Sequence, residues 1–119
     1  MAKHNELGKW GEDVAAAFLQ QKGFRIVERN WKCGHKEIDL IVTDEQLLLF
    51  VEVKTRRNDF FGDPAEAVGW RTAEHLLNAM EQYICTNQID MSVRFDILSV
   101  TGSPSSYQIE LLENAVSNF

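Results

Sequence analysis

The chain has 119 residues, 45% of them hydrophobic and 25% charged, with a net charge of −6 at pH 7. That length and balance describe one globular domain, residues 1–119, able to bury roughly two-thirds of its unfolded surface in a single core. They exclude a membrane-spanning helix, because no apolar run approaches the ~20 residues one needs, and they argue against a sequence-independent DNA coat, which lives on positive charge.

The start, MAKHNELGKWGED, has no apolar signal-peptide core, so a cytoplasmic location is expected. Cys33 and Cys85 form no CxxC and read as free thiols, and His4, His35 and His75 show no metal-ligand spacing. Charge is unevenly spread. Residues 1–71 hold 11 of the 12 Lys/Arg and 12 of the 18 Asp/Glu, whereas residues 72–119 hold only Arg94 against six acids. The cations gather in the half where the unusual strands lie.

In chain order, Asn5 is placed to cap a first helix that runs to about Lys22, with Leu7, Trp10, Gly11, Val14 and Phe18 at helical spacing. Gly23 suits the left-handed position that ends it. From spacing alone Glu12 reads as a solvated helix carboxylate; the functional alternative is a carboxylate reaching toward charged strands. Phe24 to Asn30 reads as a strand and WKCGHK as a connection, whose Lys32, His35 and Lys36, with Arg25 and Arg29, are either surface charges or phosphate contacts. The next two strands form a hairpin, Glu37 to Arg57. A loop, TRRNDFFGDP, follows, in which Phe60 and Phe61 either pack onto the body or stack on nucleobases. Asp63-Pro64-Ala65-Glu66 has the form of a helix start, and an apolar stripe then runs to about Cys85. SVRFDILSV is a further strand, TGSPSS a loop, and YQIELLENAV a last strand or short helix. Helix, three strands, helix and two strands make an α/β fold with a mixed central β-sheet flanked by helices. The helix in the middle allows a parallel crossover.

The hairpin holds the chemistry. Most of its residues are apolar on both faces, as in a strand buried twice, yet Asp39, Glu52 and Lys54 interrupt it. An unpaired buried charge costs several kcal/mol, on the order of 2–7 even for a neutral polar group, so these three need compensation. Glu52 and Lys54 are two apart and project from one strand face. A turn centred between Glu45 and Gln46, with an even loop, sets Asp39 opposite Glu52, with Cβ atoms about 4.5–5.5 Å apart. An odd loop would turn Asp39 away, so the register at Asp44 to Leu47 decides the geometry. Two carboxylates that close repel unless a proton or cation intervenes. Mg²⁺, or Mn²⁺, suits the oxygen donors, with water and phosphate completing the shell. Lys54 then stands beside the bound water, able to position it or to stabilise developing phosphate charge. An acid, any residue and a Lys recur by chance roughly once in a chain this long. The plain alternative is thus a cross-strand ion pair of Asp39 or Glu52 with Lys54. The facing acid, the apolar surroundings and the following Thr55-Arg56-Arg57 put the phosphate site ahead of it.

Asp39, Glu52-Val53-Lys54 and the upstream Glu12 resemble the PD-(D/E)xK nuclease superfamily, with Ile38 where a Pro is usual. More closely, the chain resembles the YraN-type uncharacterised bacterial family, described as endonuclease-like. The matching stretches are Gly8 to Glu12, Arg29-Asn30, Glu37 to Ile41, Phe50 to Arg56, Phe61-Gly62, Pro64 to Val68, Arg94 to Asp96 and Asn114-Ala115. Lys36 and Arg71 stand where Gly and Lys are common. The resemblance implies a restriction-endonuclease-like core similar to archaeal Holliday-junction resolvases. It implies Asp39 and Glu52 as metal ligands with the Val53 carbonyl, Lys54 as the catalytic lysine, and Glu12 as an accessory ligand through water, Glu37 being a weaker candidate. It also suggests a homodimer.

Three functions compete on this reading. The first is a Mg²⁺- or Mn²⁺-dependent endonuclease hydrolysing DNA, including branched or processed DNA, with Arg56, Arg57 and Arg71 on the backbone. The second is a non-catalytic nuclease-fold module binding nucleic acid or a protein partner, which the acidic charge favours. The third is a structural protein whose strand charges form an ion-paired network.

Overall fold

Residues 40–42 and 48–51 are apolar on both sides of an extended chain, which only the middle of a doubly covered sheet can satisfy. A computed structural model describes residues 2–57 and 70–115, with side chains placed for 6–57 and 74–115, and it has that arrangement. The elements run α1 (Ala2–Gln21), β1 (Arg25–Cys33), β2 (Lys36–Thr43), β3 (Leu47–Arg56), α2 (Trp70–Thr86), β4 (Ser92–Ser103) and β5 (Ser106–Leu112). The five strands form one sheet in chain order, β1-β2-β3-β4-β5. Only β3 and β4 pair in parallel; the other neighbours are antiparallel. The expected mixed α/β sheet flanked by helices is therefore found, with α2 lying in sequence between the two parallel strands.

The helices cover opposite faces. Ile41, Phe50, Phe95 and Ile97 pack under Leu76, Ala79, Met80 and Tyr83 of α2. Leu40, Val42, Leu49, Val51, Leu98 and Val100 pack under Ala15, Ala16 and Leu19 of α1. Full burial of each such Leu, Val or Phe contributes roughly 1.5–3 kcal/mol, so the central strands anchor the domain.

Local chemistry sets the element ends. Gly23, at φ +100°, ends α1: its amide bonds Gln20 O at 3.0 Å and the Phe24 amide bonds Leu19 O at 3.0 Å, the paired bonds of a Schellman motif. In the hairpin, Asp44 Oδ1 accepts the amides of Gln46 and Leu47 at 3.0 and 2.9 Å. The Asp44 amide reaches Leu47 O at 3.4 Å, leaving Glu45 and Gln46 as a two-residue loop with Glu45 at φ +79°.

Some boundaries differ from expectation. The first helix is already formed at Ala2, so Asn5 lies inside it rather than capping it; no Gly or Pro precedes to stop propagation. The first strand continues through Trp31, Lys32 and Cys33, and the connection shrinks to Gly34-His35, with Gly34 at φ +62°. Trp31 is what extends it, packing edge-on against Tyr83 of α2 with ring centroids 5.1 Å apart. Similarly β4 runs on to Ser103, and the last element is a strand. The expected Phe60-Phe61 contacts and the helix start at Asp63 to Glu66 lie outside the described residues.

One close approach fixes α1 on the sheet. A methyl group at Gly11 would overlap the side chain of Thr55 on β3. Gly11→Ala is therefore expected to lower the free energy of unfolding by about 1–3 kcal/mol, with Thr55→Ala in the same chain recovering part of the loss. Urea unfolding of the single and double variants measures both.

Candidate active site at a fork between two strands

The β2–β3 ladder runs from Thr43↔Leu48 to Leu40↔Val51 and goes no further. Beyond it β2 stays with β1, as far as Cys33↔Lys36, while β3 stays with β4, as far as Arg56↔Thr101. The two central strands therefore part like the arms of a fork. One more step in the same register sets Asp39 against Glu52, the facing that an even hairpin loop dictates.

Asp39 fills the fork. Its Oδ2 accepts the Val53 amide at 2.8 Å, a donor that the parting strands would otherwise leave without a ladder partner. The N–H and C=O of one strand residue point to the same side, so the Val53 carbonyl also faces the fork. Burial first, then the neighbouring Glu52 carboxyl, push the Asp39 carboxyl from its ordinary 3.8 up to about 8, against the Val53 amide and Lys54, which pull it down. Glu52 and Lys54 are half-buried and share the face of Phe50, alongside Ile97 and Ser99 of β4.

Glu12 comes from the other side of the sheet. Gly11 lets α1 settle against Thr55, and Glu12 follows directly. Its carboxyl is raised by burial, by Asp39 and by Glu37, and is lowered by an Asn30 hydrogen bond and by Arg29. Communication between the two faces has a visible cause. Ile38 and Ile41 pack beneath α2 but Leu40 packs beneath α1, so the alternation of faces slips at Asp39. On β1, Asn30 sits across from this slip, between the pairs Arg29↔Leu40 and Trp31↔Ile38, at φ +53°. Among the described residues no three His, Cys, Asp or Glu side chains converge as a metal cluster. Glu12 stands off from the Asp39–Glu52 pair, within electrostatic range of Asp39.

The cations are dispersed. Arg29 bonds Asp13 at 2.7 Å and Arg25 bonds Glu45 at 3.3 Å, so both are engaged with surface acids. Lys36 lines a cavity of ≈310 Å³ with the free thiols Cys33 and Cys85. Arg56 ends β3 beside Thr101. Arg57 borders a cleft on the α1 side with Leu7 and Pro104. Arg71 is the second residue of α2, and its side chain is outside the described residues. The fork thus gathers Asp39, Glu52, Val53 and Lys54 with Glu12 nearby, while the arginines flank it at a distance or lie elsewhere.

Sequence reasoning missed Asn30. Its signal was slight: an Asn inside a strand pattern, a residue type that tolerates positive φ. It also missed the pair Arg94–Asp96. Two residues apart on β4, they form two 2.9 Å hydrogen bonds with Asp96 fully buried.

Residues 11–100, which contain the whole fork, match the model of the uncharacterised protein family UPF0102. This chain belongs to that family. It is 42% identical to a UPF0102 protein of Flavobacterium psychrophilum over the full length of both chains. It is 44% identical to one of Bacteroides thetaiotaomicron, over 97% of this chain and 95% of the relative. To one of Syntrophus aciditrophicus it is 39% identical, over 97% and 91%. In this UPF0102 chain no helix among the described residues is long and apolar enough to cross a membrane.

The raised Asp39 carboxyl predicts a pH signature. Between pH 4 and 8 the folded state binds a proton that the unfolded state releases, so the Asp39 contribution to stability falls as pH rises through that window. Asp39→Asn keeps an acceptor for the Val53 amide and removes the charge. The variant is expected to melt near the wild type at pH 5 and clearly above it at pH 8.5, as thermal unfolding in EDTA will show.

Proposed function

We propose that this UPF0102 protein is a metal-dependent endonuclease that hydrolyses DNA phosphodiester bonds, with residues 1–119 forming one domain on a restriction-endonuclease-like core. The observation that carries the reading is the fork, where two carboxylates face each other with a lysine on the same strand face as one of them. A structural ion pair would match each acid to a base. Here Asp39 instead meets a second acid, Glu52, which with burial raises its carboxyl pKa. The donor set fits Mg²⁺ or Mn²⁺: Asp39, Glu52 and the Val53 carbonyl as ligands, Glu12 through water, and open positions for water and phosphate. When bound, such an ion neutralises phosphate charge and lowers the pKa of a coordinated water.

The chain's own groups supply the rest. The Val53 amide fixes the Asp39 carboxylate, so its second oxygen keeps one direction. Half-burial of Glu52 and Lys54 limits water at the reacting phosphate and strengthens their charges there. Lys54, as ammonium, orients the attacking water and stabilises charge on the phosphate oxygens. Arg56 and Arg71 are the candidates to hold the backbone near the scissile bond, with Arg57 further off on the α1 side. A homodimer, which the resolvase resemblance suggests, would bring two forks to one branched substrate.

Incubation with linear, flapped and four-way-junction DNA, in Mg²⁺, Mn²⁺ or EDTA, tests this. Cleavage is expected with metal and not with EDTA, and Lys54→Ala or Glu52→Ala is expected to lower the rate by at least about 100-fold. Cleavage that survives either substitution removes the fork from the chemistry. Tight binding without cleavage under either metal points instead to a non-catalytic nucleic-acid module. Mg²⁺ is also expected to raise the melting temperature of the wild type at pH 8.5 and to leave that of Asp39→Asn unchanged.

A further inference from the structure

The parallel register that carries β3 past Lys54 sets Arg56 beside Thr101, so that Arg57 emerges next to Gly102 at the head of the β4–β5 turn. The early turns of α1 cross the same end of the sheet. Two adjoining cavities open where these three elements meet. One, of ≈360 Å³, is bordered by Leu7, Arg57, Pro104 and Ser106. The other, of ≈330 Å³, is bordered by Leu7, Trp10, Arg57 and Pro104, with Glu6 at its rim. Each lies in the size range of small-molecule pockets, ~300–1,000 Å³. Together they form one cleft on the α1 side of the sheet, about 10 Å along an extended chain from Lys54.

Its walls are fixed rather than incidental. The Trp10 indole is held edge-on by Tyr107 of β5, with ring centroids 5.4 Å apart and planes at 88°. The opposite wall turns on Gly102 at φ +130°, where a side chain would strike Ser106 and Tyr107. The Ser103 and Ser105 hydroxyls bond at 3.1 Å across that turn. The lining has a particular chemistry: an indole, a guanidinium and a proline ring for stacking, with a carboxylate and hydroxyls at the margin for hydrogen bonds. Aromatic rings and arginine planes take a nucleobase face whatever its identity, whereas duplex DNA keeps its faces stacked inside.

We propose that this cleft receives one unpaired nucleobase of the substrate strand whose phosphate, further along, lies at the fork. The proposal rests on the nuclease reading and narrows it to DNA with an unpaired or splayed nucleotide near the cut. Trp10 and Arg57 hold the base between them. Glu6 and Ser106 meet its polar edge, and α1 spans the sheet between the two places, with Trp10 turned toward β5 and Glu12 toward Asn30 and Asp39.

The test is binding in EDTA, where cleavage is absent, read by the fluorescence anisotropy of three labelled duplexes. One is fully paired, one carries a single unpaired thymine, and one carries an abasic residue at that position. The wild type is expected to prefer the unpaired base over the abasic residue by about tenfold. Trp10→Ala erases the preference and leaves paired-duplex affinity unchanged, and Trp10→Phe retains most of it. Ser103→Trp, on the exposed turn, fills the cleft from the other wall without touching the Trp10–Tyr107 contact, and it also erases the preference. Equal wild-type affinity for base and abasic duplexes overturns the proposal, as does a Trp10→Ala variant that weakens all three duplexes alike. Lys54→Ala separates the two readings. If that variant cleaves like the wild type in Mg²⁺ while the base preference persists, the fork assignment fails and the cleft stands. Wild-type protein that binds none of the duplexes overturns both.

Discussion

The hydrogen bond from the Val53 amide to the Asp39 carboxylate is the contact on which the central part of the structure depends. Two adjacent strands cannot separate inside a protein without stranding backbone donors and acceptors, and each one left unsatisfied costs about 1–3 kcal/mol. The separation of β2 from β3 is tolerated because a side chain takes the place of the missing strand. A neutral acceptor would serve that purpose as well. The carboxylate is therefore more than the fold requires, and its position beside Glu52 adds repulsion that, with burial, raises its pKa. A structural feature that is costlier than its plain substitute is best accounted for by a use that needs the charge.

Glu12 reaches this site through a chain of local causes. Gly11 lacks the side chain that would hold α1 away from Thr55. The slip of faces at Asp39, matched by the left-handed Asn30 on β1, opens the sheet plane so that a residue from the α1 side senses one on the fork. Around it the charges are balanced by short surface pairs. Asp13 is shared by Arg29 and Lys9, and the Arg29 bond holds its carboxyl below the usual range. These exposed pairs contribute little stability, about 0–1 kcal/mol each. Their effect is positional: the Asp13 bond holds Arg29 against α1.

The hairpin was legible in the sequence because two independent signals agreed there. Alternation assigned the faces, and an even turn would set Asp39 opposite Glu52, but the sequence left the parity of that turn open, and the Asp44–Leu47 pairing decides it. The order of elements was legible for the same reason, since a strand with two apolar faces demands a helix on each side. What stayed hidden was whatever depends on a missing atom or an unusual backbone angle. Periodicity counts Gly11 as a neutral member of a helical stripe and gives no sign that its bareness sets a distance. Glu12 then looks solvated, because spacing locates it on the helix surface but not how near the sheet that surface lies. Asn30 at positive φ is written in no pattern of polarity. The length of β1 was misread at Gly34, which marks a tight turn two residues wide rather than a loop of six, because Trp31 finds its partner Tyr83 some fifty residues away.

The same logic bears on the acidic net charge, which at first weighs against a polyanionic ligand. Net charge acts at long range, where salt screens it beyond about 8–10 Å, whereas a bound phosphate senses what lies within a few ångströms. Some of this chain's negative charge is committed locally. Asp96 is buried against Arg94 and also accepts the Asn114 amide at 2.9 Å, clamping the end of the described chain to β4. Asp13 and Glu45 are spent on Arg29 and Arg25. A divalent cation at the fork would change the local sign there without altering the rest of the surface. On the nuclease reading, affinity for DNA then comes from few phosphate contacts and from whatever the Trp10 cleft holds. Its salt dependence should accordingly be shallow, because the slope of log K against log[salt] counts neutralised phosphates, at about 0.9 per contact. An acidic protein that reads a few phosphates and one base is compatible with that slope; one that coats a duplex is not.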